Sequence, residues 1–129
     1  MTCLSLERVT IPNTVTTIGD SAFSGCANLT TIVIPNSVKT IGNNAFSTSG
    51  LTNITIGTGI TRIGTAAFAM TQLKTLIINA ATPPALGSNL FRHPNLDIVG
   101  TVQIKVPSAR VNQYKTSDWS IYAERISAQ

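Results

Sequence analysis

The chain has 129 residues, 43% hydrophobic and only 11% charged, with a formal net charge of +4. That is one domain's worth of chain with a mostly neutral polar surface, which excludes a disordered segment, a Glu/Lys coiled coil and two independent cores. No apolar run approaches the roughly 20 residues of a membrane span, and no two of the basic residues are adjacent, so the clustered cations that track a phosphate backbone are missing.

The chain repeats itself from its first residues. Residues 1–5 read as the tail of an earlier unit, because Cys3-Leu4-Ser5-Leu6 mirrors Cys26-Ala27-Asn28-Leu29. Units follow near residues 6–28, 29–50, 51–72 and 73–95. Each opens on a leucine: Leu6, Leu29, Leu51 or Leu73. Each continues into a short β-branched run, namely Val9-Thr10-Ile11, Ile32-Val33-Ile34, Ile54-Thr55-Ile56 and Leu76-Ile77-Ile78. Their period of two predicts strands with one face inward. Pro12 and Pro35 end the first two strands, since proline lacks the N–H to continue a ladder, and Gly57 and Asn79 replace them as turn residues. The columns Val15, Val38, Ile60 and Ile18-Gly19, Ile41-Gly42, Ile63-Gly64, Leu86-Gly87 come next. Each glycine implies either a positive φ or a close neighbouring chain. Every unit closes on a phenylalanine: Phe23, Phe46, Phe68 and Phe91 lie 23, 22 and 23 residues apart. A unit this short cannot bury its apolar face alone, so units must stack, with parallel strands about 4.8 Å apart and the phenylalanines forming one internal spine.

After the last unit, Val102-Gln103-Ile104-Lys105-Val106-Pro107 repeats the strand-then-proline pattern. Ser108 is placed to N-cap a short helix that turns Val111 and Tyr114 inward. Trp119, Tyr122 and Ile126 recur at a helical spacing. These aromatics read as a cover for the last rung in preference to a platform for stacking sugars or bases. No equivalent cover precedes the first unit, which predicts an open pairing edge and end-to-end self-association there. It also suggests the C-terminal portion of a longer array, with a signal peptide upstream.

The pattern Leu-x-x-Ile-x-Ile-Pro-x-x-Val-x-x-Ile-Gly-x-x-Ala-Phe-x-x-Cys resembles the leucine-rich repeats of the BspA type, also called the Treponema pallidum type. Leu6–Cys26 and Leu29–Phe46 match it almost position by position. Leu51–Phe68 departs at Gly57, and Leu73–Phe91 carries one extra residue between Ala80 and Pro84. The likeness spans about residues 3–95 and continues into a tail similar to the family's C-terminal cap. The expected fold is therefore an α/β repeat solenoid: a right-handed leucine-rich repeat coil with a parallel β-sheet, rungs of 22–23 residues and a C-terminal helical cap. Residues 1–95 would form the repeats, and residues 96–129 the last strand and cap of the same domain. The resemblance implies a curved, non-enzymatic protein, displayed on or secreted from bacterial surfaces and associated with adhesion to host matrix proteins or other cells.

Catalytic chemistry finds few carriers. His93 is the single histidine, and neither a second histidine nor a cysteine stands near it. A triad of a serine, His93 and Asp97 is formally possible, but no serine sits in a nucleophile-elbow motif. Asp20 reads as a turn residue and Asp118 as a helix-start residue, so no acid/base pair forms by spacing. No phosphate-cradling glycine loop is present. No catalytic residue, metal site or cofactor is expected. Cys3 and Cys26 share a column, which Thr48 and Met70 would continue. Parallel side chains there favour two buried free thiols over a disulfide. The sequons at Asn28 and Asn53 enclose core residues Leu29 and Ile54 and read as incidental.

What remains is surface. Outward strand positions form two rows: Arg8, Thr31, Asn53 and Thr75; then Thr10, Val33, Thr55, Ile77 and Lys105. Repeat solenoids use such faces for partners, although threonine is also simply a polar residue that suits strands. The first expectation is a surface or secreted interaction module that binds a protein or glycan on a host or neighbouring cell through this face. It involves neither nucleic acid nor membrane insertion. The second expectation is a structural spacer or stalk with no ligand of its own.

Overall fold

The computed structural model describes residues 5–91 and 102–129. Two parallel ladders run through the repeats. One holds the two-residue strands β1 (Thr17–Ile18), β3 (Thr40–Ile41), β5 (Arg62–Ile63) and β7 (Ala85–Leu86), paired in that order. The other holds β2 (Thr31–Ile34), β4 (Asn53–Ile56), β6 (Thr75–Ile78), β8 (Gln103–Val106) and β9 (Ile126–Ala128), also in order. Each step from one strand to the next in the first four strands of either ladder moves one repeat along the chain, so consecutive units lie side by side. Burial alternates along β2 and β4, with Ile32, Ile34, Ile54 and Ile56 inside and their neighbours outside, as a period of two demands. The first of the strands expected from the sequence is an exception. Val9–Ile11 carries no ladder pairing to β2, which leaves β2 as the edge of its sheet.

The phenylalanine spine forms as expected. Rings of Phe23, Phe46, Phe68 and Phe91 stack in sequence with centroids 5.3, 5.8 and 6.1 Å apart and planes within 22° of parallel. Phe46 and Phe68 are fully buried, while Phe23 is only partly so. Around the spine lie Leu29, Leu51 and Leu76, with Ile41, Ile54 and Ile63. The turn side of the array is joined rung to rung as well. Ser21, Phe23 and Gly25 donate backbone N–H bonds to the carbonyls of Asn43, Ala45 and Ser47, and Asn44, Phe46 and Thr48 repeat this to Thr65, Ala67 and Ala69.

Those turn bonds come at a conformational cost that the sequence did not announce. Ser21, Asn44, Ala66 and Asn89 form a column with φ between 56° and 58°. Gly25, Thr48 and Met70 form a second one with φ of 78°, 57° and 62°. This left-handed region is easy for glycine, tolerable for asparagine and costly for alanine or threonine. The Ile-Gly glycines have a different reason. None of Gly42, Gly64 and Gly87 has a positive φ. A Cβ at Gly42 or Gly64 would stand 2.5 Å from Asp20 Oδ1 or Asn43 Oδ1, and one at Gly87 would meet the Thr65 backbone. Of the two explanations for these glycines, close approach of the preceding rung is the correct one. Asp20 Oδ1 and Asn43 Oδ1 accept the backbone N–H groups of Asn43 and Thr65 at 2.8 and 2.9 Å, which ties the turns together.

The C-terminal end is closed by aromatics. Tyr114 donates its hydroxyl to Ala80 O at 2.6 Å, and Trp119 donates Nε1–H to Pro84 O at 2.9 Å. Phe91, the last ring of the spine, meets Tyr122 edge-on at 5.2 Å. Two local readings need correction. Ser108 does not cap a helix: it opens a 3-10 turn, Ser108–Arg110, that leads into α1 (Val111–Lys115), and no side chain caps that turn. Trp119 and Tyr122 lie on a 3-10 helix, Asp118–Arg125, kinked at Tyr122, and Ile126 is not helical. Ile126 starts β9, where it pairs with Ile104, because a β-branched residue next to an open ladder edge gains more from pairing than from a frayed helix end.

Replacing Phe46 by alanine should cost about 3–5 kcal/mol in chemical denaturation, the range for an unfilled core cavity. Ala66→Gly should raise stability by about 1 kcal/mol in the same assay, since it relieves a left-handed alanine. Burial holds the Tyr114 hydroxyl well above its ordinary value near 10. The folded chain keeps this proton while the unfolded chain releases it, so stability is full below pH ~10 and falls above it. Tyr114→Phe should cost about 1 kcal/mol at neutral pH and flatten that alkaline decline, both readable from melting curves.

Candidate functional site

The outward rows expected from the sequence exist as ladder rows on the outer face of the β2–β9 sheet. Thr31, Asn53, Thr75 and Gln103 are successive register partners. So are Val33, Thr55, Ile77, Lys105 and Ser127. Alternation does this placing: with Ile32, Ile54, Leu76 and Ile104 buried, the residues on either side of each must face away from the core. Arg8 and Thr10 precede these rows without joining the ladder, because Val9–Ile11 does not pair. Gln103 and Ser127 were not among the expected positions. Both follow from the same register, but Gln103 lies 28 residues after Thr75 where Thr75 lies 22 after Asn53, and Ser127 belongs to β9, so a count by the repeat period reaches neither.

At the start of the rows the unpaired segment and β2 part to form a cleft of about 530 Å³. It gathers five of the nine expected residues: Arg8, Thr10, Thr31, Val33 and Thr55. Asn53, Thr75, Ile77 and Lys105 lie further along the sheet. The cleft also draws in Asn13, Asn36 and Asn79, which the row reading missed. Two of them were legible, since Pro12-Asn13 and Pro35-Asn36 repeat at the strand ends. Arg8 is the one charged residue lining this cleft. Val33, on the outer face of the edge strand, is 65% exposed. At the far end, Lys105 Nζ donates to Ser127 Oγ at 2.8 Å. The face therefore offers neutral hydrogen-bond donors and acceptors, two apolar side chains and cations at its ends.

The other candidate positions fall as follows. His93 and Asp97 lie outside the described residues. Asp20 is a turn acceptor, and Asp118 accepts the Leu86 N–H at 3.4 Å, so both serve the backbone. Among the described residues no group of three or more His, Cys, Asp or Glu could hold a metal ion. Tyr114 and Trp119 are fully buried and Tyr122 nearly so, which removes them as a stacking platform. Leu29 and Ile54, inside the two sequons, are core residues.

The cysteine reading requires two corrections. Cys26 is disulfide-bonded, not a free thiol, and the sequence holds one other cysteine, Cys3. Column-mates in adjacent rungs sit near one ladder spacing, about 4.8 Å, which lies within disulfide reach, and a turn residue is not bound to the parallel side-chain directions of a strand. The column of Cys26 also continues differently. Cys26, Ser49 and Thr71 each follow their phenylalanine by three residues. Cys26 and Ser49 donate their N–H groups to Phe23 O and Phe46 O. Thr48 and Met70 instead align with Gly25, as their shared positive φ shows. The loop from Phe46 to Leu51 is one residue shorter than that from Phe23 to Leu29, and counting by a fixed period slips there.

In comparisons with known proteins, residues 1–115 match the BspA type leucine-rich repeat region, in six copies. No curated protein matches the chain.

Proposed function

The chain belongs to the BspA-type leucine-rich repeat family, whose repeats are protein-interaction modules and generally non-catalytic, and from that premise we propose that it is an adhesive module of a secreted or surface-displayed protein. It binds a protein on a host cell, a matrix or a neighbouring cell through the outer face of the β2–β9 sheet, and it carries out no catalysis. The observation that supports this reading is the gathering of Arg8, Thr10, Thr31, Val33 and Thr55 around one cleft, continued by register-aligned rows of hydrogen-bonding side chains. Val33, 65% exposed, adds an apolar group that a partner could cover. Few large aromatics stand on this face, so affinity would come from many modest contacts summed over rungs. The disulfide at Cys26 supports an oxidising, extracytoplasmic setting. Among the described residues no helix is long and apolar enough to cross a membrane.

A spacer or stalk without a ligand is the competing reading, and a binding array of matrix proteins and glycans separates the two. The adhesive reading predicts at least one protein ligand whose binding falls about tenfold or more when Arg8, Asn53 and Thr75 are changed together to alanine. These side chains are exposed or half-buried, so the melting temperature should stay within a few degrees of the parent's. Binding that survives the triple change moves the site off this face, and no bound protein on the array favours the stalk.

A further inference from the structure

Asn53, Ile54 and Thr55 form a glycosylation sequon, Asn-x-Thr. The burial of Ile54 is what orients it. Side chains alternate along a strand, so a middle residue that points into the core sends its two neighbours outward. β4 shows this: Asn53 is exposed, Ile54 is buried and Thr55 is half-buried. The amide that accepts a glycan and the hydroxyl that a glycosyltransferase reads therefore share one side, the outer face of the sheet. The flanking strands carry Thr31-Ile32-Val33 and Thr75-Leu76-Ile77 in the same register, without an asparagine. The second sequon lacks this placement, because Asn28 lies in a turn ahead of β2.

A glycan also has room at Asn53. Its Nδ2 donates to Thr52 Oγ1 at 3.2 Å, a contact at the exposed surface. Its register neighbours Thr31 and Thr75 are short side chains. The disulfide at Cys26 supports passage through an oxidising compartment, the setting in which secreted chains receive such glycans. We propose that Asn53 is a site of asparagine-linked glycosylation. Nδ2 attacks C1 of an oligosaccharide activated as a polyprenyl diphosphate ester. The Nδ2–C1 bond forms, the C1–O bond breaks and its electron pair leaves with the diphosphate, while the amide proton passes to a base on the transferase. The attached glycan stands in the row between Thr31 and Thr75, beside the cleft around Arg8 and not within it. This site does not depend on the adhesive reading, since a stalk would carry the same glycan.

The full chain, secreted behind a leader peptide from a cell that performs this transfer, tests the site by intact mass and peptide mapping. The secreted chain should be heavier than 13.6 kDa by an oligosaccharide. Release by a glycan amidase in heavy-oxygen water should mark position 53. Thr55→Val and Asn53→Gln should each remove the modification at position 53, and Thr55→Ser should keep it. Asn53 is exposed, so the glycosylated chain should melt within a few degrees of the enzymatically deglycosylated one. A secreted chain with position 53 unmodified, a modification there that survives Thr55→Val, or a glycosylated chain without a cooperative melting transition would each overturn the proposal.

Discussion

The fold depends on the distance between one rung and the next. Parallel strands set that distance near 4.8 Å, and each column of the repeat is a response to it. Phenylalanine rings 5.3 to 6.1 Å apart fill the interior as a continuous stack. Gly42, Gly64 and Gly87 leave room for the preceding turn where any Cβ would clash. Asp20 and Asn43 reach across the same gap to hold the next backbone. Left-handed residues turn their N–H groups toward the adjacent rung, even where alanine or threonine must adopt the strained conformation. A unit that met only some of these demands would break the stack at its position, which is why the inward columns keep their character, as Val15, Val38 and Ile60 do, while outward turn positions vary.

The same spacing creates the outer face. Once Ile32, Ile54 and Leu76 point inward, Thr31, Asn53 and Thr75 are held in a row on the outside without further instruction. A surface of this kind is rigid because the core behind it is rigid, so little side-chain or backbone freedom is lost on contact with a partner. It is also extendable, since each added rung adds a column entry of each kind. Low charge suits that design: rows of like charge at one ladder spacing would repel, whereas threonine and asparagine stack without penalty.

Much of this was legible in the residues. Phenylalanine spacing fixed the spine, period-two alternation fixed the inward and outward sets, and the clustered Tyr and Trp residues marked the closed end. Legibility failed where geometry departs from a fixed period. The left-handed columns contain Ser, Asn, Ala, Thr, Met and Gly, a mixture with no composition signal, because stacking and not propensity imposes the conformation. The one-residue shortening between Phe46 and Leu51 shifted the alignment of the Cys26 column. The two-residue strands β1, β3, β5 and β7 are too short to show a period. The cleft was invisible because it arises from a strand that does not pair, and pairing is a property of neighbours, not of Val9–Ile11 itself. The spacing of Trp119, Tyr122 and Ile126 fits a regular helix, and a kinked 3-10 helix followed by a strand satisfies it equally.

Amide hydrogen exchange, resolved residue by residue, tests the stacking account most directly. If rungs protect one another, the turn amides of Asn44, Phe46 and Thr48, which bond to the next rung, should exchange far more slowly than those of Val9 and Ile11 in the unpaired first segment. Protection should rise from the first rung to the second and third. Uniformly fast exchange at Asn44, Phe46 and Thr48, on a par with Val9 and Ile11, would contradict it.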